Sequence, residues 1–257
     1  MQNLKVSLVQ SSLFWEDSEK NCTHFNGVLA GVKSDLIVLP EMFTTGFSMK
    51  VDELHENKGG KSTNWLQEKS KELNSSICGS LIIKEEDNYY NRMLYSKANG
   101  ELKEYNKRHL FRMAKEHHSY TAGNKRVIVN EKDWRVNLQI CYDLRFPVYA
   151  RNKGDYDVLI YVANWPEVRS EAWKTLLKAR AIENQCYVIG VNRVGEDGNG
   201  IKYSGDSGVY DPLGKLISET KPYEEKVETV ELDWELLESC RRKFPVGKDA
   251  DDFNLIL

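Results

Sequence analysis

The chain alternates short apolar runs with amphipathic stretches, and that alternation predicts its elements. Lys5-Val6-Ser7-Leu8-Val9 reads as an opening strand. From Ser18 to Lys33, Phe25, Val28, Leu29 and Val32 recur at helical spacing. Asp35-Leu36-Ile37-Val38-Leu39 is a buried-strand pattern stopped by Pro40, so the first 40 residues form a β-α-β unit. A second helix is expected between Asn64 and Leu73, followed by a strand over Ile77–Ile83. Met93–Ser96 and Leu102–Tyr105 flank Asn99-Gly100, which predicts a tight hairpin with positive φ at both central positions.

The second half continues in this style, with strands expected at Val136–Cys141, Val158–Ala163, Cys186–Asn192, Ser207–Tyr210 and Lys226–Leu232. Ala172, Trp173, Leu176, Ala179, Arg180 and Ile182 lie on a long helix, and Asp211-Pro212-Leu213-Gly214 makes a turn. Asp233 is the expected cap of a last helix carrying Leu236, Leu237 and Cys240, ahead of an acidic tail. Many strands with a few amphipathic helices predict two sheets covered by helices. A doubly wound sheet is the alternative, though no G-x-G-x-x-G follows the first strand.

Composition narrows the function. With 257 residues, 40% of them hydrophobic and no Pro/Gly/Ser-rich linker, a single domain over 1–257 is expected. Lys and Arg number 36 against 39 Asp and Glu, a net charge of -3 without blocks of like charge, which argues against nucleic-acid and anionic-membrane partners. No apolar run approaches the roughly 18 residues of a membrane helix, and Met1–Lys5 lacks the basic-then-apolar run of a secretory signal, so a cytoplasmic protein is expected. Five scattered cysteines without a C-x-x-C pair fit neither a disulfide framework nor a zinc knuckle.

Three strand ends carry reactive side chains, and ligands of α/β proteins bind at the carboxyl ends of strands. Glu41 follows Val38-Leu39-Pro40; it is either a turn carboxylate facing water or a proton-transfer group in a desolvated site. Lys107, in Tyr105–Phe111, ends the hairpin's return strand and is either a solvated charge or an oxyanion partner. Cys141 closes the strand Val136–Ile140 and enters a polar segment, an elbow where a helix N-terminus would lower a thiol pKa. Cys78 and Cys186 fit apolar strand patterns, and Cys22 and Cys240 fall on helices without a charged cradle. His109, His117 and His118 share one loop, so a Cys-His hydrolase is a competing reading.

Leu39-Pro40-Glu41-Met42-Phe43, Tyr105-Asn106-Lys107-Arg108-His109-Leu110-Phe111 and Ile140-Cys141-Tyr142-Asp143-Leu144-Arg145-Phe146-Pro147 resemble the three ordered motifs of the nitrilase superfamily of carbon–nitrogen hydrolases. Asn164-Trp165-Pro166, Arg180–Gln185 and Gly205–Gly214 extend the resemblance over essentially the whole chain. It implies an α-β-β-α sandwich that dimerises through its helical faces, no metal or organic cofactor, and a catalytic set of Glu41, Lys107 and Cys141 with Glu116 as a further carboxylate. Lys107–Met113 and Ala163–Pro166 are most similar to the omega-amidases, which deamidate 2-oxo acid monoamides.

On this resemblance, Glu41 takes the thiol proton, Cys141 attacks the amide carbon, and the Lys107 ammonium with the Tyr142 backbone N–H receives the oxyanion. Phe43, Tyr142 and Trp165 either wall the substrate pocket or pack the core; Arg145 either binds a substrate carboxylate or pairs with Asp143. A nitrilase or carbamoyl-amide hydrolase with the same Glu-Lys-Cys set, and a non-catalytic member of the fold, stay open beside the small-molecule amidase.

Overall fold

The computed structural model describes residues 1–256. Two sheets lie face to face. The first contains β1 (Leu4–Gln10), β2 (Leu36–Val38), β3 (Glu56–Asn57), β4 (Ser76–Glu85), β5 (Asn88–Ser96) and β6 (Leu102–Asn106), closed by the late strand β14 (Lys226–Leu232). Its order is β14-β1-β2-β4-β5-β6, with β3 beside β4. The second contains β7 (Ile128–Glu131), β8 (Trp134–Ile140), β9 (Val158–Ala163), β10 (Tyr187–Asn192) and β13 (Gly208–Tyr210), in the order β13-β10-β9-β8-β7. A short ribbon of β11 (Val194–Glu196) and β12 (Lys202–Ser204) stands apart from both. β1, β2 and β4 run parallel in the first sheet, as do β8, β9 and β10 in the second. The two-sheet expectation holds, and the doubly wound alternative falls because the late parallel strands build a sheet of their own.

Period-two alternation makes each strand serve two layers. Leu36 and Val38 join Leu4, Val6 and Leu8 in one buried cluster that continues into Val136, Leu138 and Ile140 of the second sheet. Ile37 turns the other way, meeting Val9, Ile77, Leu81 and Ile83 beneath helices α1 (Ser18–Val28) and α3 (Lys61–Leu73) through Phe25, Leu29 and Leu66. On the far side α6 (Ser170–Asn184) lays Trp173 and Leu177 on β10 over Gly190, and α7 (Trp234–Lys243) adds Leu237. The result is a four-layer α-β-β-α sandwich. Short helices α2 (Val51–Leu54), α4 (Glu116–Ser119) and α5 (Pro147–Ala150) punctuate the loops.

Several boundaries differ from the sequence reading for local reasons. α1 stops at Val28 because Gly27 weakens its last turn and Gly31 takes φ +75°. The β5–β6 connection has positive φ at Gly100 alone: Gly100 N–H donates to Lys97 O at 2.9 Å and Lys97 N–H to Glu101 O at 2.8 Å, a turn closed by a glycine bulge. β5 begins at Asn88, five residues before the apolar run at Met93, because the polar stretch 88–92 pairs along β4 and turns Asn91 to the site, where it bonds Glu41. β7 carries too few apolar residues to read as a strand alone. Asp233 caps α7 as expected, accepting from Glu235 N–H at 2.8 Å and Leu236 N–H at 3.2 Å.

Gly190 allows α6 to sit directly on the second sheet. A Cβ there would lie 2.4 Å from Leu177 Cδ1 and 2.8 Å from Trp173 Cζ2. Gly190→Ala is therefore expected to destabilise the fold by about 1–3 kcal/mol through overpacking. Thermal unfolding checks it; an unchanged Tm would contradict the tight α6–β10 contact.

Candidate active site

Strand ends from both sheets converge on one cavity. Glu41 follows β2, Lys107 follows β6, Cys141 follows β8 and Asn164 follows β9. Each stands where a buried strand gives out.

Cys141 is the first residue after β8 and opens a 3-10 turn over Cys141–Arg145 with φ +45°. A non-glycine residue in the left-handed region is strained and is held there only by its surroundings. The expected elbow is present, whereas the expected low thiol pKa is not. α5 behind it has only four residues, too short for an effective helix dipole. Burial pushes the Cys141 thiol well above its usual value, and the facing Glu41 carboxylate pushes it further; Lys107 only partly opposes them. Burial and Glu41 thus favour the protonated thiol over the thiolate.

Glu41 is fully buried, so the water-facing turn carboxylate is excluded. Its Oε1 accepts from Lys107 Nζ at 2.9 Å and Asn91 Nδ2 at 2.7 Å; its Oε2 accepts from Asn164 N–H at 2.8 Å. Lys107 Nζ also donates to both Glu116 oxygens, at 3.0 and 3.1 Å. Glu116 Oε2 further accepts from Phe111 N–H at 2.6 Å, which anchors the loop after β6. Burial alone would lower the Lys107 pKa, but Glu116, Glu41 and the Cys141 sulfur together hold it well above the usual value. Burial raises the Glu116 pKa, with Lys107 opposing and Glu41 adding to the rise. The structure thus brings Glu41, Lys107, Cys141 and Glu116 together. Asn91 and Asn164 complete the cradle. Asn164 lies in a segment the sequence singles out, while Asn91 has only the polar start of β5 as a signal.

The cavity above the thiol has a volume of about 310 Å³. Tyr142, Arg145 and Trp165 line it as expected, joined by Phe47, Phe111, Arg169 and Tyr203. Phe43 does not. Met42 takes φ +44°, which sends Glu41 inward and Phe43 out to the helical layer, where its ring lies 5.7 Å from both Phe25 and Trp65. Phe43 is core, and Phe47 stands in its place with its ring 5.1 Å from Lys107 Nζ. Arg145 does not pair with Asp143 either. Its guanidinium lies over the Trp165 ring at 5.0 Å and, among the described residues, forms no salt bridge.

Nor do the histidines reach the thiol. His109 is oriented by an aspartate, its Nδ1 lying 2.8 Å from Asp143 Oδ1, but among the described residues no histidine lines the cavity. His117 packs against His118, and burial, followed by His118 and Arg112, lowers its pKa.

An α-β-β-α sandwich holding a glutamate, a lysine and a cysteine at one buried point defines a carbon–nitrogen hydrolase. The chain belongs to that family, whose model matches residues 5–242. It is similar to the Escherichia coli omega-amidase YafV, with 47% identity covering 99% of this chain and 100% of the relative. It is also similar to a 2-oxoglutaramate amidase of Bacillus subtilis, with 35% identity over 84% of this chain and 85% of that one. Among solved structures, a CN-hydrolase superfamily protein of Xanthomonas campestris carrying an arsenic adduct in its active site superposes with a TM-score of 0.97. Its sequence is 43% identical, covering 99% of this chain and 100% of that one.

Because the resting thiol is protonated, its alkylation by iodoacetamide should be slow at pH 7 and rise continuously through pH 9 without a plateau. A rate already flat from about pH 6 would indicate a thiolate paired with a cation and overturn the geometry's reading.

Proposed function

We propose that this enzyme is an omega-amidase, releasing ammonia from the terminal amide of small 2-oxo dicarboxylic acid monoamides through a cysteine thioester. The relatives' names favour this subclass. The observation that carries it is the pairing, in one small cavity, of the Cys141 thiol with an Arg145 guanidinium that, among the described residues, no carboxylate neutralises. A substrate with an amide at one end and a carboxylate at the other answers both groups. Arg169, whose guanidinium lies 5.4 Å from the Phe111 ring, adds a second cation to the wall. Tyr142 and Trp165 give the apolar sides that orient a short acyl chain.

In this reading Glu41 accepts the thiol proton as Cys141 Sγ attacks the amide carbon. The carbonyl oxygen becomes an oxyanion that the Lys107 ammonium and the Tyr142 backbone N–H receive, donors of the kind worth about 3 kcal/mol each to the transition state. Glu41 returns its proton to the nitrogen, and ammonia leaves. It then takes a proton from water, whose oxygen displaces the sulfur from the thioester, and passes that proton back to Cys141, so the resting thiol and the carboxylate are restored. Glu116 holds Lys107 in place throughout and keeps it charged. The high thiol pKa fits this scheme, since deprotonation is needed only as the new bond forms.

The same cradle would serve a nitrilase or a carbamoyl-amide hydrolase; the free arginine favours the carboxylate-bearing amide. We further read the chain as a single carbon–nitrogen hydrolase domain that pairs as a homodimer. Ile182, Leu213 and Phe244 leave apolar surface around the ends of α6 and α7, where a second helical face would cover it. A cytoplasmic location is supported by five unpaired thiols. No helix among the described residues is long and apolar enough to cross a membrane.

Ammonia release should be fastest with 2-oxoglutaramate and 2-oxosuccinamate in a panel with glutamine, asparagine, a carbamoyl amino acid and a simple nitrile. Preference for another member of that panel would reject the subclass. Arg145→Ala should lower kcat/KM for the oxo-acid amides by roughly 10- to 100-fold, the loss of one charge-assisted contact of about 1.5–3 kcal/mol. For an uncharged amide it should change little, and equal loss on both substrates would remove Arg145 from carboxylate binding.

Glu41→Gln separates base from field. It removes a charge that raises the thiol pKa, so alkylation should speed up at a given pH while turnover drops by about 10²–10⁴-fold. Retained turnover would dismiss Glu41 as the base.

A further inference from the structure

Lys107 and Cys141 come from different sheets that share no hydrogen-bonded ladder. Something must set the distance between an ammonium at the end of β6 and a sulfur at the end of β8. Asp143 lies two residues after Cys141 in the elbow, and Tyr105 and His109 flank Lys107 at two residues on either side. All three meet at the Asp143 carboxylate.

That carboxylate is fully buried and accepts four hydrogen bonds. Tyr105 Oη donates to Oδ2 at 2.7 Å, His109 N–H to Oδ1 at 2.9 Å, and His109 Nδ1 to Oδ1 at 2.8 Å. Ile140 N–H, the last backbone donor of β8, reaches Oδ2 at 2.9 Å. Three bonds thus run to the lysine's segment and one to the cysteine's. Bonds to an ionised acceptor are short and strong, and a carboxylate so buried cannot shed them without exposing an unpaired charge to an apolar interior. The His109 ring is held in place: it stacks on Phe146 with centroids 3.8 Å apart and planes 8° apart, while Tyr149 meets it edge-on at 5.2 Å.

Ring contacts of His109 and Phe111 with Phe146 and Tyr142, and the Asn164 N–H on Glu41, also cross between the halves, but the direct hydrogen bonds between the two segments all end on Asp143. Lys107 N–H bonds Asn91 O at 2.9 Å on β5, and Arg180 Nη2 bonds Leu144 O at 2.7 Å from α6. We propose that Asp143 is a positioning residue for the reaction, a clamp that sets the spacing of the Lys107 ammonium and the Cys141 sulfur across the two sheets and holds Cys141 in its left-handed conformation. This rests on the roles assigned above to Lys107 and Cys141. Its effect falls on the transition state, because a donor displaced by about 1 Å from the oxyanion can cost about 10²-fold in rate. Substrate binding, carried by the cavity walls, is largely spared.

The test is steady-state turnover per titrated Cys141 thiol, with thermal unfolding measured on the same samples. In Asp143→Asn the amide NH2 replaces an oxygen that accepts two bonds, so kcat per titrated site should drop by about 10²-fold while KM stays within about threefold. Tyr105→Phe removes one bond and should lower kcat by about fivefold; in the double variant it should add nothing to Asp143→Asn, because both act through one clamp. A role in folding alone would reduce the titrated fraction and the Tm but leave kcat per site unchanged, and that result overturns the proposal. Multiplicative effects of the two substitutions would overturn it as well. Should Asp143→Asn fail to fold, Tyr105→Phe and His109→Gln carry the decision, and normal kcat in both folded variants rejects the clamp. Cys141→Ala tests the nucleophile separately: its inactivity beside a normal Asp143→Asn overturns the clamp alone, whereas its full activity overturns both readings.

Discussion

The site depends on one buried ammonium. Lys107 sits between Glu41 and Glu116 with almost no exposure to solvent, and all three charges would be costly in an apolar interior if any one were left alone. Two carboxylates around one ammonium leave a net negative charge. That charge, together with burial, keeps the facing thiol protonated, and the rest of the architecture can be read as the means of holding this cluster dry and fixed. β2, β6, β8 and β9 deliver its members from two sheets; Asn91 and Asn164 use donors on Glu41 that water would otherwise supply.

Burial also separates this arrangement from a thiolate–imidazolium pair. In such a pair the nucleophile is charged before substrate arrives and the base has already spent its acceptor. In the mechanism proposed here the acceptor is Glu41, a carboxylate that already holds three donors, and proton transfer is coupled to carbon–sulfur bond formation. His109 shows how a misleading signal arises: it has the orienting aspartate that a catalytic histidine needs, yet its bond points to the elbow's frame and away from the thiol's cavity.

Much of this was legible in the chain because the chemistry lies where apolar runs end. Leu36–Val38 followed by Glu41, and Val136–Ile140 followed by Cys141, are patterns that buried parallel strands and their carboxyl ends impose. What escaped was set by backbone twists and by cross-sheet neighbours. The side chain of Phe43 could not be assigned to a layer without knowing that Met42 adopts positive φ, and the same turn brings Phe47 to the cavity. Asn91 was hidden in a polar stretch that pairs as a strand only because β4 lies beside it. The thiol pKa was misjudged for a related reason: an elbow suggests a helix dipole, whereas the length of α5 and the nearness of Glu41 are tertiary facts.

The protonated state of Cys141 reaches beyond amide chemistry. Peroxide and disulfide exchange act through the thiolate, so a buried thiol that gives its proton to Glu41 only as its sulfur bonds a substrate's carbonyl carbon would be a poor target for sulfenic acid formation. Slow oxidative inactivation would then follow from the same electrostatics as the proposed catalysis. A substitution that made the nucleophile permanently more acidic would gain reactivity at the expense of a lifetime in oxidising surroundings.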